Sequence, residues 1–357
     1  QAMFGVNSEP RHLEAALRDL NSSTARVRAE AAADLARHAG AHAEQVASGL
    51  IAALEDPATA VRSAAALALA DAQLDDERVV EALLLKLRED NDDVRQMVLV
   101  ALGELAPAAA LDEVEQALSD PSACIRFQAI IAFPRLCATH ERVVKALLVG
   151  TRDEDAEVRH IALRMAEELG EPGFAQNDEN AAVDARLMRR ACAMLKDDDA
   201  RVRITSAVIL GRCGRVDGAA VLVDAARRKQ RTSHLEDEGA AIELCGDLGI
   251  EAAIKPLRRR AFGGVPLLRR DPFVWQARVA LAALGDDRAI DWIMRGLKAW
   301  TRERRSLAVA AAMRARLLKA EPLIRTMQGQ PKMADAQLVK DALEALAEEK
   351  AHHTEHE

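Results

Sequence analysis

A seven-residue phrase recurs along the first part of the chain and narrows the folds open to it. The phrase reads Ser22-Ser-Thr-Ala-Arg-Val27-Arg28, then Asp56-Pro-Ala-Thr-Ala-Val61-Arg62. Related copies end in Val94-Arg95, Ile125-Arg126, Val158-Arg159 and Val202-Arg203, and most of them begin with Asp. The branched residues are spaced by 34, 33, 31, 33 and 44 positions. A near-constant period of this size marks a chain built by stacking one small unit, each copy burying its apolar face on the next.

Each unit contains two helical segments. Glu81–Leu87 precedes one copy of the phrase, and Val94–Leu105 follows its start with apolar residues at 94, 97, 98, 101, 102 and 105, the spacing of one helix face. Pro57 and Pro121 stop the first helix, and the neighbouring Asp or Ser can cap the second. Gly40, Gly103, Gly170 and Gly214 fall where the second helix is expected to end. Of the 357 residues, 50% are hydrophobic but only 3% aromatic, with no Tyr. Such Ala, Leu and Val content favours helix over sheet. No apolar run approaches the roughly 18 residues needed to cross a bilayer. The chain start lacks a secretory pattern, and Gln1-Ala2 ahead of Met3 reads as a tag remnant. The five cysteines are odd in number and form no CxxC, so they read as small buried apolar residues in a reducing compartment, the cytoplasm.

Asp-x-x-x-x-Val-Arg followed by an Ala/Leu-rich helix resembles the HEAT-repeat family, in particular the short bacterial type found in phycobilisome lyases. The resemblance covers residues 11–215. It implies an all-α, right-handed superhelical α-solenoid of stacked antiparallel helix pairs. It also implies that the repeated Asp and Arg pair between neighbouring units and hold the stack. The expected organisation is an N-terminal lead (1–10), regular repeats (11–170), an inserted loop (171–182), a further regular repeat (183–215), degenerate basic repeats (216–320), capping helices (321–350) and a disordered tail (351–357).

Two surfaces are candidates for binding. In the family the second helix of each pair lines the concave side. Residues five and six positions after the phrase's Val should point away from the core of their own unit. Leu99, Ile130, Leu163 and Arg164, with Phe127 a turn earlier, are therefore expected to form a strip for a helical or extended protein partner, with the five-offset residues the more open. The second candidate follows from charge. Residues 1–200 hold 21 Lys and Arg against 36 Asp and Glu, whereas residues 201–330 hold 25 against 14. The basic stretch also carries all three Trp, at 275, 292 and 300. Arg258, Arg259, Arg269, Arg270, Trp275, Arg278, Trp292, Arg295, Arg302 and Arg305 are the candidates for holding an anion, an acidic partner or, as a weaker alternative, nucleic acid. Helical spacing expects Arg278 to meet Trp275, and Arg295 to meet Trp292.

Enzyme signatures are sparse. There is no HExxH, Walker loop, GxGxxG or GxSxG. The His-Glu pairs of HEAT-like di-iron hydroxylases are reduced to His140-Glu141 and His356-Glu357. A comparison with HEAT-like alkylpurine DNA glycosylases rests on Asp291-Trp292 alone, and the aromatic-poor composition is a poor cradle for a bilin. The expectation is a bacterial, non-catalytic scaffold with no cofactor, no bound metal and no membrane insertion.

Overall fold

A computed structural model describes residues 11–74, 76–169, 184–228, 235–263 and 271–355. The described residues form twenty α-helices and no strand. They pair in chain order as α1 (Leu13–Asp19) with α2 (Ala25–Leu35), α3 (Ala39–Ala53) with α4 (Thr59–Asp71), α5 (Glu77–Glu89) with α6 (Asp92–Leu105), α7 (Leu111–Ala117) with α8 (Ala123–Leu136), and α9 (His140–Gly150) with α10 (Ala156–Leu169). The series continues with α11 (Ala185–Met194) and α12 (Ala200–Arg212), α13 (Ala219–Ala226) and α14 (Leu235–Asp247), α15 (Ile254–Phe262) and α16 (Val274–Ala283), α17 (Asp287–Leu297) and α18 (Arg302–Arg314), and α19 (Glu321–Arg325) and α20 (Ala336–Glu355). The fold is an α-solenoid. It divides into two compact units, Gln1–Leu187 and Met188–Glu357. The inserted segment 171–182 lies outside the described residues.

Within the first unit the second helices α2, α4, α6, α8 and α10 stack directly on one another, whereas the first helices meet far less. Small side chains allow this approach. Ala65, Ala129 and Ala162 recur at one register position, which Val98 takes on α6, and all four are buried. The branched residue of each phrase (Val61, Val94, Ile125, Val158) is buried four positions earlier. Gly103, expected as a terminator, lies inside α6. A side chain there would stand 3.2 Å from Ala132 of α8, so the glycine serves close packing. The left-handed residue that ends α6 is Ala106, at φ 49°. Gly214 takes that conformation after α12, as expected. Gly40 lies two residues before the kink at His42 that separates the run continuing from α2 from the body of α3.

The repeated Arg and Asp bind the stack together. Arg28 grips Asp56 of the next pair through two bonds of 2.6 and 2.9 Å. Arg62 grips Asp90 at 2.7 and 2.6 Å, and Arg126 grips Asp153 at 2.8 and 2.7 Å. Arg95 reaches Asp120 through one nitrogen. Three of these guanidiniums also donate to the carbonyl six residues back, Arg28 to Ser22, Arg62 to Asp56 and Arg126 to Asp120. The Asp in turn accepts a backbone N–H at the turn ahead of its second helix, as Asp56 does from Ala58 at 2.8 Å. Each Arg–Asp pair thereby fastens two successive turns, and the fixed spacing in the sequence is the spacing of these turns.

Sequence expectation and structure part at two further places. Helix α20 runs to Glu355, through most of the stretch expected to be a tail. Of the cysteines, Cys137 and Cys245 are buried, and burial pushes the Cys245 thiol up to about 12, but Cys213 is exposed at the end of α12.

The ladder makes stability depend on acid. The Arg28 guanidinium holds the Asp56 carboxyl below the usual carboxylate range, outweighing the opposing effect of burial. A depressed folded pKa contributes stability that is fully present above the unfolded value of about 4 and is lost as pH falls through the folded value. Thermal melts from pH 7 to pH 2 should therefore show a steep acid limb, and Asp56→Asn should flatten it while lowering the neutral melting temperature. At neutral pH, Arg62→Ala leaves the mostly buried Asp90 carboxylate without its cation and should cost about 2 kcal/mol in urea unfolding. Ala106→Gly should gain roughly 0.5–1 kcal/mol, since glycine adopts positive φ without strain.

Candidate functional site

The second helices of the first unit present one continuous face, and its register differs from expectation by one residue. Leu99, Ile130 and Leu163, five positions after the branched residue, are at most 3% exposed. They are core, wedged between successive pairs, and do not form an open strip. The half-exposed row is the six-offset one, consisting of Leu67 on α4, Val100 on α6, Ile131 on α8 and Arg164 on α10. The physical reason is the close stacking of second helices. It closes over the five-offset side chains from the neighbouring helix and leaves the next position along the turn facing out. Phe127 is half-buried beside this row, and Arg164 pairs with Glu167 at 2.9 Å. One turn further, exposed Asp71, Glu104, Arg135 and Glu168 form a mostly acidic margin, in which Arg135 is bonded to Glu104.

A cleft of about 250 Å³ opens on the first-helix side of the same unit, with Leu118, Ile130, Val149 and Val158 in its walls and Glu115, Arg142, Lys145 and Asp153 among the polar groups around it. Val149 stands 65% exposed there.

In the second unit the structure sorts the basic candidates by their partners. Arg258 bonds at 2.5 Å to Asp286, a buried carboxylate that also caps α17 by accepting the Ala289 N–H. Arg305 holds the ladder position of its repeat. It donates to the Ala299 and Trp300 carbonyls and across to the Met333 carbonyl, which replaces the missing Asp. Both residues are engaged by partners within the protein, which weighs against the anion-ligand role expected of them. Arg302 faces Asp335 at 3.5 Å, and Arg295 donates to the Asp291 carbonyl and does not stack on Trp292. Arg259 is exposed, as is Trp300. Arg269 and Arg270 lie outside the described residues.

Arg278 behaves differently. Its guanidinium lies 5.0 Å from the Trp292 ring centre and 5.3 Å from that of Phe262, and it does not meet Trp275. Arg288 sits over the same Phe262 ring at 4.1 Å. Burial, and then the Arg288 charge, pull the Arg278 pKa below its ordinary value. Phe262 and Arg288 were not found by sequence reading, because the stack joins α15, α16 and α17 and no spacing within one helix reports it. Next to it, Gln276 takes the position that carries Val in the regular phrase, five residues after Asp271. Its Oε1 is buried without a partner, as is the indole Nε1 of Trp275. An amide placed where the fold expects an aliphatic side chain accounts for the first of these.

Residues 80–167 match the family model for HEAT repeats. This chain carries HEAT repeats. No curated protein matches it. Among solved structures, the Escherichia coli protein YibA is 17% identical, with 77% of this chain and 93% of that one covered and a TM-score of 0.53. A chain in the complex of Kap95p with RanGDP is 13% identical, with 93% of this chain and 51% of that one covered and a TM-score of 0.52. A chain of the CpcE–CpcF phycocyanin lyase complex from Nostoc sp. is 18% identical over 72% of this chain and 97% of that one, at a TM-score of 0.41. At these identities the likeness shows the fold alone. A HEAT solenoid is in general a scaffold or adaptor architecture, and no helix of the described residues is long and apolar enough to cross a membrane.

The register of the HEAT face is open to a direct check. Leu99→Ala should cost about 2–5 kcal/mol in chemical unfolding, the usual range for a buried leucine, whereas Val100→Ala should stay below about 1 kcal/mol. Equal losses at both positions would contradict the assigned register.

Proposed function

We propose that this chain is a non-catalytic scaffold of a bacterial cytoplasm whose first unit binds a helical protein partner on the second-helix face. The observation that carries the reading is the half-open aliphatic row Leu67, Val100 and Ile131. Three successive repeats present it in one register over a fully buried layer. A row of this kind suits the apolar stripe of an amphipathic helix, which inserts side chains at three- and four-residue spacing into a preformed surface. Because the Arg–Asp ladder fixes the spacing of the repeats, little conformational freedom is lost on binding, which favours affinity. The exposed Asp71, Glu104 and Glu168 along one margin favour a partner helix with basic residues on its flank.

The test is retention of a partner from lysate of the source bacterium on immobilised protein. One protein should be retained by the wild type and by Val149→Glu, which alters the first-helix side. Its retention should fall at least tenfold with the double variant Val100→Glu, Ile131→Glu, while circular dichroism and melting temperature stay close to wild type. Undiminished retention by the folded double variant would remove this face from consideration.

A further inference from the structure

Most of the arginines described above, buried or exposed, have a carboxylate within ion-pair distance of their charge. Arg28, Arg62, Arg95, Arg126 and Arg258 each face an Asp, and Arg260 lies between Glu238 and Asp271. Arg278 and Arg288 depart from this rule. Each packs on the Phe262 ring, and Arg278 also packs on Trp292, so two guanidiniums converge on one aromatic side chain. Among the described residues neither forms an ion pair, and the one bond Arg278 makes runs from Nε to the Ala261 carbonyl at 3.2 Å.

Stacking covers the faces of a guanidinium and leaves its edge. The Arg278 Nη groups and the whole donor set of Arg288 therefore remain for another acceptor. Two like charges drawn together at a partly buried place repel each other and lose hydration, and the depressed Arg278 pKa reports that cost. A bound oxyanion would reverse the sign of the local field and accept the edge donors, the geometry in which arginine holds phosphate.

We propose that Arg278 and Arg288, set against Phe262 and Trp292, form a binding site for a compact phosphate-type oxyanion. The aromatic rings orient the guanidiniums, which lie over Phe262 and, for Arg278, also over Trp292. Exposed Asp287 and Asp291, within a turn of Arg288 on α17, disfavour an extended polyanion more than a single small group, which meets fewer of these charges. The site belongs to the second unit and stands independently of partner binding by the first.

Isothermal titration of the full chain with inorganic phosphate in low-chloride buffer, followed in parallel by Trp fluorescence, tests the proposal. Saturable binding is expected, with Arg288→Gln weakening it at least tenfold and exposed Lys319→Gln leaving it unchanged. Arg288 is exposed, so its variant should keep the wild-type circular dichroism and melting temperature. Arg278→Lys keeps the charge but removes the planar stack, and it should weaken binding as well. Absence of saturation by about 10 mM phosphate would overturn the site, as would equal binding by the wild type and Arg288→Gln. A thymidine oligonucleotide provides the second arm. If it binds more tightly than phosphate, with a steep salt dependence and sensitivity to Arg288→Gln, the compact ligand is wrong and the cluster reads a nucleic-acid backbone.

Discussion

Each turn between paired helices is tied to the next by one guanidinium, and the architecture of the first unit depends on that bond. Arg28, Arg62 and Arg126 each satisfy at least three acceptors, two carboxylate oxygens of the following repeat and a carbonyl of their own turn. The planar fork of arginine fits this task, and a lysine ammonium could not hold both carboxylate oxygens and the carbonyl in one geometry. The side chains on both sides are largely shielded, between 8% and 14% exposed. The charges therefore attract through a medium less screened than water, and full pairing is what makes their burial tolerable. The apolar layers supply most of the stabilisation, and the ladder decides which stagger of those layers is allowed.

The same principle separates the structural arginines from the candidate ligands in the second unit. Where a ladder partner is absent, the protein finds substitutes. The Met333 carbonyl serves Arg305, and Asp271 receives Arg260 from only 11 residues upstream. Asp286 caps α17 and accepts Arg258. A basic composition therefore overstates the positive surface, because much of it is engaged internally. Arg278 and Arg288 stand out against this background, since both lie over the Phe262 ring and neither forms an ion pair among the described residues.

The two surfaces suit different kinds of recognition. The face of α4, α6, α8 and α10 is aliphatic with an acidic margin, shaped by a regular repeat and suited to a long complementary element. The cluster on α15, α16 and α17 is small and cationic, and it occurs where the repeat has lost its regular phrase. Gln276 in place of Val and Ala277 in place of Arg mark the same irregularity in the chain, and the orphaned Gln276 Oε1 shows that the exchange was not fully accommodated by packing.

The recurrence of Val-Arg behind Asp determined the solenoid by itself, because a period of this kind can bury its apolar faces only by stacking. The resemblance to HEAT repeats carried by that signature also implied the Arg–Asp pairing. Side-chain register on the second helices was decided only by the tertiary structure. Leu99 and Val100 are adjacent aliphatic residues on one turn, and which of them is covered depends on how closely α6 approaches its neighbours. Small residues set that approach, such as Gly103 against Ala132, and their effect lies in three dimensions. The stack of Phe262, Arg278, Arg288 and Trp292 was likewise beyond reach of the sequence. Its members come from three helices, and the cation–π contacts that join them depend on interhelical distance, whereas helical periodicity reports only neighbours within a single helix.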